Sequence, residues 1–470
     1  MLEFHKKKPK NPSKTEPEKR IKDFQEIYSQ FDKNDSVEQS SRCSQCGIPY
    51  CQIHCPLNNN IPDWLRYIAE GRLEEAYQVS ASTNAFPEVC GRVCPQDRLC
   101  EGNCVVEQAG FGAITIGNLE KYLTEIAWEK GWVKNLSSQN QFKQKVAIIG
   151  SGPAGMAASA YLTQNGYQVD VFEKNDRAGG LMIYGIPNFK LDKKIVERRT
   201  EWLLESGVKF NLNMEVGKNI SFQDLEKDYD AILIATGVYK ARKLDIDTSS
   251  VDNSIPALDF LIESNRTGLG DSPSNNKFLT AKDKSVVVIG GGDTAMDCVR
   301  TAIRQQAKEV TCLYRRNKEN MPGSAREVLN AEQEGIKFNW LSVPSKIISD
   351  NSTATSMTYK VAALGEVDES GRRKPVDTGV EKQIKSDLII QALGFEPEDL
   401  NHNFKTNIEL TSWKTVKVDF KKFQTSNPKI FAAGDIVRGA SLVVWAIHDG
   451  REVAKSIHNF LQSSKIKKAS

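Results

Sequence analysis

Lys145-Val-Ala-Ile-Ile-Gly150-Ser-Gly152-Pro-Ala-Gly155 decides how this chain of 470 residues is read. A short apolar strand, Lys145–Gly150, runs into a glycine-rich turn, and Pro153–Asn165 behind it reads as a helix. A second strand, Gln168–Glu173 (QVDVFE), follows. Strand, G-x-G-x-x-G turn, helix and strand make a βαβ unit of the dinucleotide-binding kind. Gly150 permits the tight turn, Gly152 lets the backbone approach a pyrophosphate at the helix N-terminus, and Gly155 lets the helix pack closely on the sheet. Pro153 and Ala154 complete the opening of the helix. Glu173, 23 residues after Gly150, stands where a carboxylate accepts hydrogen bonds from a ribose diol, with Lys174 beside it.

The unit recurs downstream. Ser285–Gly290 (SVVVIG) leads through Gly290-Gly-Gly292-Asp293-Thr294-Ala295 into a helix from Asp293 to about Gln306, then a strand Glu309–Tyr314. No acid ends this strand; the sequence there is Tyr314-Arg315-Arg316. A carboxylate would repel a 2′-phosphate, whereas guanidinium groups pair with it. Arg315 and Arg316 therefore favour NADP over NAD at the second site, with Lys318 and Arg326 as weaker candidates. Two differently tuned sites suit hydride transfer from NADPH to FAD. Ala235-Thr236-Gly237 after AILI and Ala392-Leu393-Gly394 after LIIQ read as paired crossovers between the two folds. Ile430–Asp435 is a strand ending in Gly434-Asp435, followed by a helix from about Leu442. Asp435 is placed for the ribityl or phosphate part of a flavin, and the helix N-terminus for negative charge on the reduced ring.

Upstream the composition changes. Eight of the ten cysteines lie between Cys43 and Cys104, as Cys43-x2-Cys46-x4-Cys51-x3-Cys55-Pro and Cys90-x3-Cys94-Pro-x4-Cys100-x3-Cys104. In a chain without a secretory signal, such clustering argues for metal rather than disulfides. Three close cysteines followed by a fourth and Pro are the ferredoxin pattern for an iron–sulfur cluster; a zinc module is the alternative. In ferredoxins the fourth cysteine of a run often serves the other cluster. On that logic Cys43, Cys46 and Cys51 hold one cluster with Cys104, while Cys55, Cys94 and Cys100 begin a second, its fourth ligand open between Cys90 and Glu120. Cys298 and Cys312 are isolated and read as structural.

The remainder is ordinary. Charged residues make up 26% and hydrophobic ones 39%, with a net charge of +3, too little for a nucleic-acid surface. No run approaches the about 18–20 apolar residues of a membrane span, and the charged N-terminus lacks an apolar signal core, so a cytoplasmic location is expected. Lys6–Lys8 and Lys465–Lys468 read as frayed tails, Ile21–Phe31 and Ile61–Ser82 as helical stretches, Ser137–Gln144 as a linker, and Ser264–Asn276 and Asp350–Thr355 as surface loops.

Together the two fingerprints and the Gly-Asp strand resemble the two-dinucleotide-binding-domain flavoproteins, the superfamily of disulfide reductases. That family carries a redox cysteine pair beside the flavin; this chain has none there, so electrons are expected to leave through the N-terminal cysteines. CSQCGIPYCQIHCPLNNNIPDW, CGRVCPQDRLCEGNC, GGLMIYGIPNFKL (Gly179–Leu191), YRRNKENMPGS and AAGDIVRGASLVVWAIHDGR are similar to the small (β) subunits of NADPH-dependent glutamate synthases over nearly the whole chain. The N-terminal halves of dihydropyrimidine dehydrogenases share this module, with one cluster taking a non-cysteine fourth ligand, a role that falls here on Glu120. The resemblance implies two 4Fe–4S clusters, FAD, NADPH and a large (α) subunit that makes glutamate. It implies an α/β fold with two Rossmann-like domains behind a mainly helical iron–sulfur domain. The expected segments are 1–140 for the clusters, 141–240 and 396–470 for FAD, and 241–395 for NADPH. Gly180, Leu181 and Gly237 join the expected flavin contacts.

Overall fold

Val146–Ile149 and Val286–Ile289 have no polar face, so each strand must be covered on both sides, as the inner strands of a parallel sheet are. The computed structural model describes residues 1–367 and 373–469, and both runs are buried throughout. Each is the middle strand of a five-stranded sheet. The first sheet runs Ile430–Ala432, Ala231–Ile234, Lys145–Ile149, Gln168–Phe172 and Lys209–Asn211, every pair parallel. The second runs Ser254–Pro256, Leu388–Gln391, Ser285–Ile289, Glu309–Leu313 and Lys337–Asn339, again all parallel. The chain leaves the first sheet, builds the second and returns, and a short antiparallel ladder, Lys240–Ala241 against Phe395–Glu396, ties the two crossings.

A three-stranded antiparallel sheet, Ser342–Asp350, Thr353–Val367 and Arg373–Lys385, is inserted before the return. Asp350–Thr355 contains the turn of its first hairpin. Of the Ser264–Asn276 run, the first residues still belong to the helix Ala257–Gly268, and only the rest is loop.

The N-terminal region is helical in short pieces. Ile61–Ser82 divides into Ile61–Ala69 and Leu73–Ala81 around Gly71, whose φ of 77° ends the first helix. Ile21–Phe31 is not a helix. Its apolar spacing is helical, but the segment pairs with Ser13–Thr15, Thr15 N–H donating to Ile27 and Ser29 N–H to Ser13, while Ile27 and Phe31 enter the core. Neither tail is frayed as expected. Leu2 N–H donates to Cys43, Arg42 holds the carbonyl of Lys7, and the last helix keeps its backbone through Ala469; the side chains of Lys465–Lys468 lie outside the described residues.

Gly179–Leu191 lies between the two sheets. Phe189 is buried beneath Arg300 and Arg304, whose guanidinium carbons lie 4.5 and 4.0 Å from its ring centre, and Lys190 pairs with Asp297 at 2.8 Å. Among the described residues no helix is long and apolar enough to cross a membrane.

Candidate functional site

The turn after the first strand opens into a cavity of about 250 Å³. Gly150, Gly152, Pro153, Ala154, Glu173, Lys174, Leu181, Gly237 and Asp435 all line it. Gly150 has φ 103°, and a Cβ there would lie 2.5 Å from the carbonyl oxygen of Ala235, so glycine is required. A Cβ on Gly152 would meet nothing within 4 Å: this position faces open space where a phosphate would lie. Gly155, Gly180 and Gly434 stand just behind, where side chains would strike Gly150, Gly152 and Ala154.

Glu173 has work that the sequence did not announce. Its Oε2 accepts from the amide (3.1 Å) and hydroxyl (2.6 Å) of Ser151, and its Oε1 from the amide (2.9 Å) and side chain (2.8 Å) of Asn175. The carboxylate thus locks the turn as well as facing the cavity. Burial raises the Asp435 carboxyl above its ordinary range, against a 2.7 Å hydrogen bond from Ser441. Thr236, also in the wall, has a buried hydroxyl without a hydrogen-bond partner. Tyr239 lies within it too, its phenol raised by burial and then by Glu173 and Asp435, with the Lys174 ammonium 4.8 Å from its ring. Ser151, Thr236 and Tyr239 were missed; only the position of Thr236 within Ala235–Gly237 hinted at its place. Open floor, unpartnered hydroxyl and apolar walls fit a flavin dinucleotide.

The second turn repeats the plan with different surroundings. Gly290 has φ 145°, with a Cβ 2.2 Å from the Ala392 carbonyl oxygen, and Gly292 again faces open space. The Tyr314 ring covers Gly291, and Gly323 N–H donates to the Gly291 carbonyl at 2.9 Å. Asp293 and Thr294 are partly exposed, while Ala295 is buried. Asp293 Oδ1 accepts from Ser324 N–H at 2.9 Å. The four basic candidates diverge. Arg315 is exposed beside the turn. Arg316 is buried, its Nε donating to the Arg373 carbonyl at 2.8 Å, because the antiparallel insertion covers it. Lys318 pairs with Glu332 at 2.6 Å. Arg326 turns away from the nucleotide side altogether. It is half-buried against Gln96 and the Cys94 carbonyl, with Glu101 and Glu327 supplying its counter-charge.

None of the ten cysteines is in a disulfide. Cys43, Cys46, Cys51 and Cys104 face one another: burial, then Cys104 and Cys43, push the Cys51 thiol up to about 12. Gln45 donates to Cys43 Sγ from its amide at 3.5 Å and its side chain at 3.3 Å. Cys55, Cys90, Cys94, Cys100 and Glu120 line a separate small cavity together with Asn84 and Gln96. Burial pushes Cys55 up to about 11, with Glu120 and Cys90 adding to it, while Cys94 is raised first by its hydrogen bond with Cys90. Glu120 sits on the helix Ile116–Glu129. Burial pushes its carboxyl up to about 8 although Asn84 donates to it at 3.3 Å. A buried acid this poorly compensated suits a site that receives positive charge. Among the described residues, no three such side chains close to single-ion spacing. Cys298 and Cys312 stand apart and buried, donating to the carbonyls of Ala257 (3.9 Å) and Gly290 (3.3 Å).

The two sites share a wall. Leu442, Val443 and Ala446 line the first cavity, and Val444 lines the small cysteine cavity.

Comparison with known proteins agrees with this layout. Residues 20–132 match the family described as dihydropyrimidine dehydrogenase domain II, 4Fe–4S cluster, and residues 144–450 match pyridine nucleotide-disulphide oxidoreductase. The chain is 51% identical to the glutamate synthase (NADPH) small chain of Azospirillum brasilense, across 98% of this chain and 97% of that one. The chain belongs to the glutamate synthase (NADPH) small-chain family. A second small chain, from Escherichia coli, is 45% identical over 97% of this chain and 96% of its own length. Members of this family are NADPH-dependent oxidoreductases, and FAD, NADPH and 4Fe–4S iron are the cofactors of this small chain. The solved structure of Mycobacterium tuberculosis FprA in complex with NADPH shares the fold, with a TM-score of 0.59 at 19% identity over 69% of this chain and 86% of that one.

Proposed function

We propose that this chain is the electron-input subunit of a cytoplasmic glutamate synthase. In it, FAD would supply hydride acceptance from NADPH, and two 4Fe–4S clusters would supply one-electron transfer to a large subunit that makes L-glutamate from L-glutamine and 2-oxoglutarate. The residues of this chain bind, orient and insulate. Gly290, Gly292, Thr294 and Ala295 present the N-terminus of the helix Asp293–Arg304 to the NADPH pyrophosphate, Asp293 ties that turn to Ser324 N–H, and Arg315 meets the 2′-phosphate from the open side. Arg316 braces that strand end from beneath. Gly150–Gly155 and Glu173 hold the adenylate half of FAD, and Asp435 with the start of the last helix faces its other half. Cys43, Cys46, Cys51 and Cys104 suit one cluster; Cys55, Cys94, Cys100 and Glu120 suit the other. The division of the chain follows, with 1–140 for the clusters, 141–240 and 396–470 for FAD, and 241–395 for NADPH.

The observation that carries this reading is the shared wall: Val443 and Val444, adjacent in sequence, line the flavin cavity and the cysteine cavity respectively. The test is to capture the native partner on tagged protein and assay NADPH oxidation. Oxidation that requires both glutamine and 2-oxoglutarate is expected. Oxidation that proceeds equally without them would replace the large subunit with another acceptor. The match of residues 20–132 to a dihydropyrimidine dehydrogenase domain fits both readings; in the second, the same module feeds a different reductase.

A further inference from the structure

The segment between Cys94 and Cys100 does not stay within the cysteine domain. Gln96-Asp97-Arg98 reaches across to the second dinucleotide turn. Asp97 caps a helix of the other domain: its Oδ2 accepts from Ala325 N–H at 3.2 Å and its Oδ1 from the Ser324 hydroxyl at 3.3 Å, at the start of Ala325–Gln333. Arg98 donates from Nη1 to the Pro322 carbonyl at 2.6 Å, in the loop that covers Gly291. Its Nη2 lies 3.5 Å from Asp293 Oδ2.

Asp293 is a problem for the site it belongs to. It is the first residue of the helix whose N-terminus must receive a doubly charged pyrophosphate. A carboxylate there repels the ligand across a short gap, and both Arg98 and Asp293 remain partly open to solvent, where a ligand could reach them. Within the nucleotide domain, Lys318 is engaged elsewhere, Arg326 is held by Gln96 and Arg315 is assigned to the 2′-phosphate. Lys190 adds its charge to Asp293 while paired with Asp297, and the cation in ion-pair contact with Asp293 is Arg98, from the cysteine domain.

We propose that Arg98 is a positioning residue of the NADPH site, neutralising Asp293 beside the pyrophosphate and completing the site only when the two domains are in contact. This rests on the NADPH assignment made above. It makes the loop between two cluster-site cysteines part of the nucleotide site.

The test is NADP⁺ binding to the purified holoprotein by titration calorimetry, with flavin and iron contents measured on each variant. Arg98→Gln keeps a donor for the Pro322 carbonyl and removes the charge. It should weaken NADP⁺ about tenfold, the worth of one charge-assisted contact at a partly exposed position. In Arg98→Gln/Asp293→Asn the unpaired carboxylate is gone too, and affinity should return to within about threefold of the parent. A structural strut would not show this rescue. Unchanged affinity in Arg98→Gln, or a double variant no tighter than the single one, would overturn the proposal. Should Arg98→Gln lose cofactor, Arg98→Lys decides: retained affinity supports the charge, and a loss matching that of Arg98→Gln counts against it. A parent protein that binds no NADP⁺ would instead sink the NADPH assignment itself.

Discussion

Glu120 and Cys90 both face the small cysteine cavity, and their partners separate them. The Cys90 sulfur is engaged in a hydrogen bond with Cys94, whereas the buried Glu120 carboxyl receives only a 3.3 Å hydrogen bond from Asn84. Glu120→Ala should therefore lose about half of the bound iron and acid-labile sulfide, while Cys90→Ala retains it. Elemental analysis of the two purified variants checks this; the reverse pattern would make Cys90 the ligand. At this scale the sequence is a good guide to residues whose job is local. Gly150, Gly152 and Glu173 sit where strand, turn and spacing put them, because the βαβ unit is short and self-contained. It is a poor guide to side chains whose partners lie far along the chain. Nothing near Arg326 in sequence reveals Gln96, and nothing near Arg98 reveals Asp293.

Among the elements, the short N-terminal helix Pro17–Arg20 delivers Arg20 into the nucleotide domain. There Arg20 pairs with Glu334 at 2.8 Å, and Glu334 also binds Arg300 and Arg304, all four side chains buried. Removing one cation leaves the carboxylate compensated; removing the carboxylate takes it from Arg20 and Arg304 together and leaves Arg300 with Glu327 alone. Arg20→Ala should cost about 1–3 kcal/mol and Glu334→Gln about 3–5 kcal/mol. Thermal unfolding of the two variants should reveal that order. Acid acts on the same elements. Against the cost of burial, Arg300, Lys190 and Arg326 hold Glu327 down to about 2, and Arg304 and Arg300 do so for Glu334. Folded values below the unfolded one mean that their contribution is complete above about pH 4.5 and is lost as pH falls toward 2. The urea midpoint should therefore drop across that window less steeply in Glu327→Gln than in the parent. Buried parallel strands were legible because continuous apolar runs have few other uses. The Ile21–Phe31 segment was not, since hydrogen bonds to Ser13–Thr15 overrode its helical spacing. Nor was the antiparallel insertion, much of whose last strand is exposed and carries little apolar pattern.

Over the whole molecule, stability is unevenly distributed. The two sheets close around aliphatic cores, but Cys43, Cys100 and Cys104 are themselves core members of the N-terminal region, packed with Trp64, Leu65 and Leu119. Stripping the iron removes what draws those sulfurs together. Trypsin should then cut between Arg42 and Arg98 well before it cuts within 144–450, and gel analysis of timed digests with and without an iron chelator reads this directly. The shared wall has its own consequence. Successive residues in a helix rise by about 1.5 Å, so one short stretch of the last helix serves both cavities, and at Val443 and Val444 the side chains it gives to them are aliphatic. Aliphatic side chains exclude water and block atoms, whereas an electron needs no opening to pass. Chemistry on the nucleotide side and charge flow on the metal side can therefore proceed in separate compartments of one protein, with no part needing to swing between them.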